Sequence, residues 1–239
     1  MINILCMKWG TKYGPEYVNR LYAMVARNLS IPFRFVCLTD NSDGIFDRVE
    51  TFSIPSLQLN LNGPERGWNK LTTFAGELYG LKGQTLFLDL DLIIVAPIDE
   101  LFTLPGSVII IRDWLKKDGT GNSSVYRFNI GEHPEVLSEF QREFAAIKRQ
   151  YRNEQEYLSA ALLKRNALTY WPEEWCRSFK RHCMHYPPKS LWCAPSIPEN
   201  AKIIVFHGHP HPDEAIVGKT GKWYRFAKPA PWIKDVWHT

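Results

Sequence analysis

Hydrophobic and polar positions alternate along the chain in blocks that predict strands and helices in turn. Apolar runs at 2–6, 33–38 and 85–95 are typical of buried strands. Between the first two runs, apolar residues recur at intervals of three and four over residues 14–29, which predicts an amphipathic helix. A strand, a helix and a strand at this spacing indicate a right-handed βαβ unit and therefore a parallel sheet.

The later part of the chain continues this alternation. Further strands are predicted at 49–54, 107–111 and 202–206, and further helices at 68–81, about 134–150 and 154–164. The sequence therefore belongs to the α/β class, and we expect a mostly parallel central sheet flanked by helices. A chain of 239 residues can bury a sizeable core, and no repeat or Gly/Ser-rich linker divides it, so we expect one domain over 1–239.

Composition excludes several protein classes. Hydrophobic residues make up 45% of the chain and charged residues 23%, which is typical of a globular protein and argues against disorder. The sequence has no uncharged apolar run near 18 residues, so no spanning helix is expected. The first residues lack the features of a signal peptide, and the five cysteines contain no CxxC pair, which fits a reducing compartment. We therefore expect a cytoplasmic protein.

The charge is small overall but unevenly placed. A net charge of +4 does not indicate nucleic-acid binding, and none is expected. However, residues 175–198 contain no acidic side chain, and six of the nine tryptophans follow residue 170. A basic, Trp-rich C-terminal section can face an anionic surface, including a membrane surface, or stack on a sugar. Alternatively, the long basic side chains simply cover aromatic rings at a folded edge.

Two aspartates interrupt the apolar run at 85–95 and give the strongest chemical signal in the sequence. Asp89 and Asp91 are two residues apart, so in an extended strand they point to the same face. Burying two carboxylates is costly unless their charge is compensated. A divalent cation with oxygen ligands, Mg²⁺ or Mn²⁺, would compensate it at the carboxyl end of a strand, where doubly wound sheets bind ligands. An ion pair with a nearby lysine or arginine is the alternative.

A histidine-rich loop follows the predicted strand at 202–206. His207 can reach the same sheet edge as the two aspartates, since it also follows a buried strand. Its imidazole would add a nitrogen ligand to the carboxylates, a set that favours Mn²⁺ over Mg²⁺. His209 and His211 alternate with glycine and proline in the same rigid, open loop.

Together with the Asp89-Leu90-Asp91 motif, four segments resemble the motifs of one enzyme family. They are Trp68-Asn69-Lys70-Leu71, Gly121-Asn122-Ser123-Ser124-Val125, Asn153-Glu154-Gln155 and Phe206-His207-Gly208. In this order they are similar to GT-A fold glycosyltransferases, in particular the glycogenin-like retaining group. The resemblance covers roughly residues 2–212. The sequence departs from the family at Ser124, where glycine is usual, and at Glu154, where aspartate is usual. It also has no clear equivalent of the lysine that the family places after the histidine loop.

The resemblance implies a metal-dependent transfer of a sugar from a nucleotide-sugar, with a UDP-sugar as first candidate. The implied metal ligands are Asp89, Asp91 and His207. The implied nucleotide contacts are Met7, Lys8, Trp9, Tyr13, Lys70 and Leu90. The implied donor-sugar contacts are Asn122, Ser123, Glu154 and Gln155. The implied catalytic set is Asp91, Glu154 and Gln155. The role of the missing lysine against the diphosphate would pass to His209 or Lys219.

The resemblance also implies how the reaction and the chain are divided. Retention of configuration is expected, with the leaving phosphate taking the acceptor's proton, whereas inversion would need a carboxylate base such as Asp113 or Glu154. Residues 1–120 would form the nucleotide-binding half and residues 121–239 the acceptor side. The acceptor can be a saccharide, a lipid-linked glycan or a protein, and no motif selects among them or fixes the oligomeric state.

Three alternatives compete with this interpretation. A haloacid-dehalogenase-type phosphohydrolase also places two aspartates after an apolar strand, but Ile93 stands where such an enzyme usually has a small hydroxyl residue. A catalytically inactive sugar-nucleotide or glycan-binding module would tolerate the departures at Glu154 and at the missing lysine. Separately, a zinc site is conceivable from the cysteines and histidines between residues 176 and 193, although their spacing matches no familiar finger.

Overall fold

The structure, a computed structural model, describes residues 1–57, 59, 63–186, 188–220 and 227–239. The strands are β1 (Ile2–Lys8), β2 (Phe33–Thr39), β3 (Glu50–Phe52), β4 (Gln84–Leu88), β5 (Leu92–Ile94), β6 (Val108–Arg112), β7 (Gly121–Asn129), β8 (Leu168–Tyr170), β9 (Cys176–Ser178) and β10 (Ile203–Val205). The α-helices are α1 (Pro15–Asn28), α2 (Pro134–Arg142), α3 (Phe144–Gln150), α4 (Glu154–Leu163), α5 (Pro212–Ile216) and α6 (Trp232–Val236). The 3₁₀ helices span Gly63–Phe74, Asp99–Phe102 and Lys189–Leu191, and a π-helical turn spans Phe179–Cys183.

Within the described part of the chain, seven strands form a central sheet and three form a smaller one. The central order is β3-β2-β1-β4-β7-β6-β8, and the smaller sheet has the order β5-β10-β9. Four neighbouring pairs of the central sheet are parallel, and only β7 runs antiparallel to its neighbours. The predicted α/β fold with a mostly parallel sheet and flanking helices is therefore confirmed. The strand order reverses between β1 and β4, and such a switch point leaves a crevice at the carboxyl ends of both strands.

Both faces of the central sheet are covered, so its strands are apolar at nearly every position. Ile4 and Leu86 pack on one face against α1 and the smaller sheet. Leu5 and Phe87 pack on the other face against the 3₁₀ helix 63–74, α2 and α4. Successive side chains of a strand point to opposite faces, so these unbroken runs supply two cores at once.

The helix α1 shows how the local sequence fixes an element. Pro15 occupies its first turn, where a missing backbone N–H costs nothing. Leu21, Met24 and Val25 form the buried stripe that faces the sheet, as the spacing of three and four predicts. The strand–helix–strand unit predicted from this pattern is confirmed, with β1 parallel to β2.

The predicted strand at 85–95 is in fact two strands in different sheets. The strand β4 ends at Leu88, and after Asp89-Leu90-Asp91 the chain re-enters as β5, which is antiparallel to β10. Two carboxylates cannot continue a strand buried on both faces, so the chain leaves the central sheet there. The backbone is nevertheless fixed on both sides, since the Asp89 N–H donates to the Ser124 carbonyl (2.9 Å) and the Phe206 N–H donates to the Asp91 carbonyl (2.9 Å).

The segment 121–125, which the family resemblance places against the donor sugar, begins the long strand β7. It lies between β4 and β6, and the register with β6 shifts between Ile110 and Ile111. Its small polar residues have weak strand propensity, but two neighbouring strands and burial override it. Its Ser124 carbonyl accepts the bond that ends β4, which places the start of β7 beside the aspartates.

Two predicted helices also differ in the structure. The helix expected at 68–81 is the 3₁₀ helix 63–74, and the helix expected at 134–150 is divided into α2 and α3. No helix among the described residues is long and apolar enough to cross a bilayer. Lys222 and Arg225 of the basic C-terminal section lie outside the described residues.

Candidate active site

A cleft of about 230 Å³ opens at the switch point between β1 and β4. Its lining residues come from the end of β1 and the loop after it, the 3₁₀ helix 63–74, the segment between β4 and β5, and the start of α4. They are Met7, Trp9, Lys12, Tyr13, Gly67, Lys70, Asp89, Leu90, Asp91 and Glu154. Most of the residues predicted to bind the nucleotide or the metal therefore share one cavity, in the position that doubly wound sheets use for ligands.

Lys70 is the centre of a buried charge network. Its Nζ lies 2.7 Å from Asp89 Oδ1 and 3.9 Å from Glu154 Oε1. Burial lowers the pKa of Lys70, but the charges of Asp89 and Glu154 more than offset this, so the pKa is raised and the ammonium stays charged. Ser123 Oγ donates to Glu154 Oε1 at 2.8 Å, so Ser123 and Glu154 meet as the sequence predicts. The ion-pair alternative for the aspartates is thus realised at Asp89.

Asp91 is bound differently from Asp89. Its Oδ2 accepts a hydrogen bond from the Tyr13 hydroxyl at 2.7 Å, and among the described residues no cation lies within ion-pair distance. Burial raises the pKa of Asp91 to about 6, and the neighbouring charge of Asp89 adds to this, against the opposing effect of the Tyr13 hydrogen bond. Burial and Asp91 likewise raise the pKa of Tyr13, which remains a neutral donor.

These observations fit a divalent cation at the aspartate pair. Two carboxylates face one cleft, Lys70 forms an ion pair with Asp89 only, and burial together with the charge of Asp89 raises the pKa of Asp91. Hard oxygen ligands on a polar, open edge suit Mg²⁺ or Mn²⁺. A cation would remove the cost of ionising Asp91, since a neighbouring positive charge favours the charged form.

The imidazole of His207 has other partners in the structure. Its Nε2 is 2.7 Å from Ser178 Oγ, and its ring stacks on Trp114 with centroids 5.6 Å apart. Burial, together with Lys180 and Arg181, lowers the pKa of His207 to about 4, so the ring is neutral. The N–H of Phe206, the residue before His207, donates to the Asp91 carbonyl. In the described part of the chain, however, the His207 ring and the two aspartates do not form a three-ligand group. Its metal role therefore stays a prediction.

One group of three potential metal ligands does come together in the described part of the chain. His209, His211 and Glu214 offer ligand atoms that all lie within 4.8 Å of one another. His209 Nδ1 is 2.7 Å from Glu214 Oε2, so the predicted phosphate contact is occupied by a carboxylate. The His211 ring meets Tyr13 edge-on at 5.7 Å, which places this loop at the rim of the cleft.

Three further predicted site residues lie apart from the cleft lining. Lys8 is buried and its Nζ donates to the Asn41 carbonyl at 3.3 Å. Asn122 is buried in β7, where its Oδ1 accepts from the Ser124 N–H at 3.0 Å. Gln155 lies in the first turn of α4, next to Glu154, and its backbone carbonyl accepts from Ser159. Their ligand contacts stay predictions.

Lys12 lines the cleft but is absent from the sequence-based assignment. Its Nζ lies 4.5 Å from the centre of the Tyr13 ring, and its charge lowers the pKa of Asp91. The sequence could have indicated Lys12, because it directly precedes Tyr13 in the short loop after β1 and therefore lies at the same edge of the sheet. It adds a positive charge to the cleft that holds Asp89 and Asp91.

The cysteine and histidine segment 176–193 shows no zinc site in its described residues. Cys176 and Cys183 are buried, and burial raises the pKa of Cys183 to about 12. The His182 Nδ1 accepts from the Ser178 N–H at 2.9 Å. These groups do not form a three-ligand cluster there.

Comparison with known proteins gives a result for the fold alone. No family model and no curated protein sequence matches this chain. Among solved structures, it is similar to the galactosyltransferase LgtC in complex with donor and acceptor sugar analogs, at 13% identity and a TM-score of 0.63 over 88% of each chain. The structure of an active-site mutant of LgtC gives a TM-score of 0.59 at 13% identity, over 88% of this chain and 89% of that one.

A third similar structure is the bifunctional glycosyltransferase WbbM without ligands. Its TM-score is 0.64 at 12% identity, and the match covers 88% of this chain but 46% of WbbM. The predicted resemblance to GT-A glycosyltransferases is confirmed at the level of the fold. The chain has the GT-A fold, with its aspartate pair at the crevice of the sheet.

Proposed function

We propose that this protein is a metal-dependent glycosyltransferase that uses a nucleotide-sugar donor, with UDP as the first candidate nucleotide. The observation that carries the proposal is the Asp89–Asp91 pair at the switch point, where Asp91 has no paired cation among the described residues and its pKa is raised to about 6. The fold shared with LgtC and WbbM supports the reaction class. The fold gives no support to the haloacid-dehalogenase alternative.

The residues of the cleft divide the work of binding. Trp9 and Tyr13 would face the base and ribose, while Lys12 would lie near the diphosphate. Asp89 and Asp91 would hold Mn²⁺ or Mg²⁺, and a cation there would stabilise the charge that develops on the departing diphosphate. Glu154, fixed by Lys70 and Ser123, would accept hydrogen bonds from the donor sugar and set its orientation.

The transfer replaces one bond at the anomeric carbon with another. The acceptor hydroxyl oxygen bonds to the anomeric carbon while the bond from that carbon to the diphosphate oxygen breaks. The electron pair of the broken bond leaves with the nucleoside diphosphate, and one of its oxygens takes the hydroxyl proton. Retention follows if attack and departure share one face of the sugar. Glu154 is engaged by Lys70 and Ser123, which favours an orienting role over that of a general base.

Calorimetric titration of UDP into the full chain, with and without Mn²⁺, tests the proposal. We expect micromolar binding that requires the metal and is lost in Asp91→Asn. The exposed Asp43→Asn is the matched control and should bind as the unmodified protein does. Hydrolysis of UDP-sugars in the same samples then measures turnover.

The outcomes separate the remaining interpretations. Metal-dependent binding of UDP together with slow hydrolysis of one UDP-sugar supports a transferase. Binding without hydrolysis or transfer to any offered saccharide would instead support the inactive binding module. If neither UDP nor GDP binds with Mn²⁺ or Mg²⁺, the proposal is wrong.

A further inference from the structure

A second cavity, of about 350 Å³, lies beside the loop that holds His207 and shares no lining residue with the aspartate cleft. Trp114 connects the two regions, because it lines this cavity and stacks on the His207 ring. The N–H of Phe206, the residue before His207, in turn donates to the Asp91 carbonyl. A molecule in this cavity would therefore lie near the segment that carries the aspartate pair.

The lining of this cavity is positively charged. Arg112, Lys117 and Arg177 contribute cations, and Lys116 is ion-paired with Glu156. The acidic lining residues are Asp113 and Glu173. Asp113 is engaged by its own loop, since its Oδ1 accepts from the Leu115 and Lys116 N–H groups. The exposed cations Arg112 and Lys117 leave the mouth attractive to an anion.

Arg177 is a cation in the wall of this cavity whose side chain is partly buried. Its Nε is buried without a hydrogen-bond partner, and so is the Nε of Arg181 in the helical turn that follows. Among the described residues, no carboxylate lies within ion-pair distance of either guanidinium. A buried polar group without a partner is destabilising, so a hydrogen-bond acceptor in the cavity would stabilise Arg177. Burial, together with the charge of Arg177, lowers the pKa of His182, which also lines the cavity.

The chemistry of the walls points to a sugar that carries an anion. A guanidinium is the side chain best matched to the two oxygens of a carboxylate or a phosphate. Trp114 adds a flat apolar face beside it, and the buried Trp171 forms part of the wall. A concave site with aromatic walls and a few convergent polar groups is typical of a small-molecule site.

We propose that this cavity is the acceptor subsite and that it takes a saccharide bearing a carboxylate or a phosphate, which Arg177 receives. The inference rests on the proposed function, since it assigns the second substrate of the same reaction. The acceptor's anion binds at Arg177, its ring lies against Trp114, and its hydroxyl is directed past His207 toward the donor sugar.

Ligand-observed NMR on the full chain tests this directly. The probes are methyl β-glucuronide, glucose 6-phosphate, methyl β-glucoside and inorganic phosphate. We expect at least one of the two anionic sugars to bind about tenfold or more tightly than the glucoside, and the pair distinguishes a carboxylate from a phosphate acceptor. In Arg177→Gln this preference should fall by about tenfold or more, which corresponds to about 1.4 kcal/mol. In the exposed control Arg142→Gln it should be unchanged.

Two further measurements keep the inference separate from the proposed function and from a folding defect. Metal-dependent UDP binding should be unaffected in Arg177→Gln, which also reports that the variant is folded. Trp114→Ala should weaken the sugars but not inorganic phosphate. If the protein binds UDP but binds the glucoside as tightly as both anionic sugars, the acceptor assignment is wrong and the proposed function still holds. The same conclusion follows if inorganic phosphate binds as tightly as the anionic sugars. Failure of UDP binding would overturn the proposed function instead.

Discussion

Replacing Asp91 with asparagine should stabilise the fold and at the same time abolish metal-dependent nucleotide binding. Asparagine keeps an acceptor for the Tyr13 hydroxyl, which lies 2.7 Å from Asp91, and removes only the charge. The pKa of Asp91 rises from 3.8 to about 6 because of burial and then of Asp89. Each pKa step of one corresponds to about 1.4 kcal/mol, so after allowance for partial exposure the ionised side chain costs about 2–3 kcal/mol at pH 7.

The sign and the pH window follow from the two pKa values. The unfolded chain ionises Asp91 near pH 3.8, while the folded protein ionises it only near pH 6. The contribution of the protonated side chain to stability is therefore complete below pH 3.8 and lost as the pH rises to 6. Asparagine does not titrate, so the advantage of Asp91→Asn should be small at about pH 4 and constant above about pH 6.

Urea unfolding followed by tryptophan fluorescence, in EDTA and between about pH 4 and pH 8, measures this difference. Asp43→Asn, an exposed aspartate, serves as the control and should unfold as the unmodified protein does. Mn²⁺ should raise the unfolding free energy of the unmodified protein but not that of Asp91→Asn, since only a folded site that binds the ion gains from it. A variant that is no more stable at neutral pH, or an advantage independent of pH, would refute the argument.

Two further predictions concern buried groups. Lys70→Met should lower the unfolding free energy by about 3 kcal/mol at neutral pH, because Asp89 and Glu154 lose their shared cation. The exposed control Lys82→Met should change urea unfolding little, and a loss below about 1 kcal/mol for Lys70→Met would contradict the network. A thiol-reactive dye should modify only Cys193 rapidly in the folded protein, since the other four thiols are buried; rapid reaction of a second thiol would show that one of them is accessible.

The sequence predicted the elements whose pattern is dictated by local burial. Residues 2–6 and 33–38 are continuous apolar runs because both sheet faces are covered, and the stripe of α1 has the period of a helix. The aspartate pair was also identified from the sequence, because two carboxylates in an apolar run need compensation, although the strand expected at 85–95 in fact ends at Leu88. Lys70 and Glu154 were assigned to this site and do lie there.

Other features depend on contacts that no local pattern records. The start of β7 is a run of small polar residues, and it is a strand only because β4 and β6 flank it. The ring of His207 has neighbours from distant segments, Ser178 and Trp114, which sequence spacing cannot predict. The cavity around Arg177 likewise forms from the loop after β6 and the segment that includes β9.

The break at residues 89–91 has a mechanical consequence. Asp89 is bonded through its backbone to β7 of the central sheet, whereas Asp91 is bonded through its backbone to the residue that follows β10 of the smaller sheet. The two carboxylates therefore belong to two separately hydrogen-bonded layers. A ligand that binds both carboxylates therefore connects the central sheet to the smaller sheet. Ligand binding in the cleft should then stabilise the position of the smaller sheet, and a more rigid smaller sheet should in turn favour ligand binding.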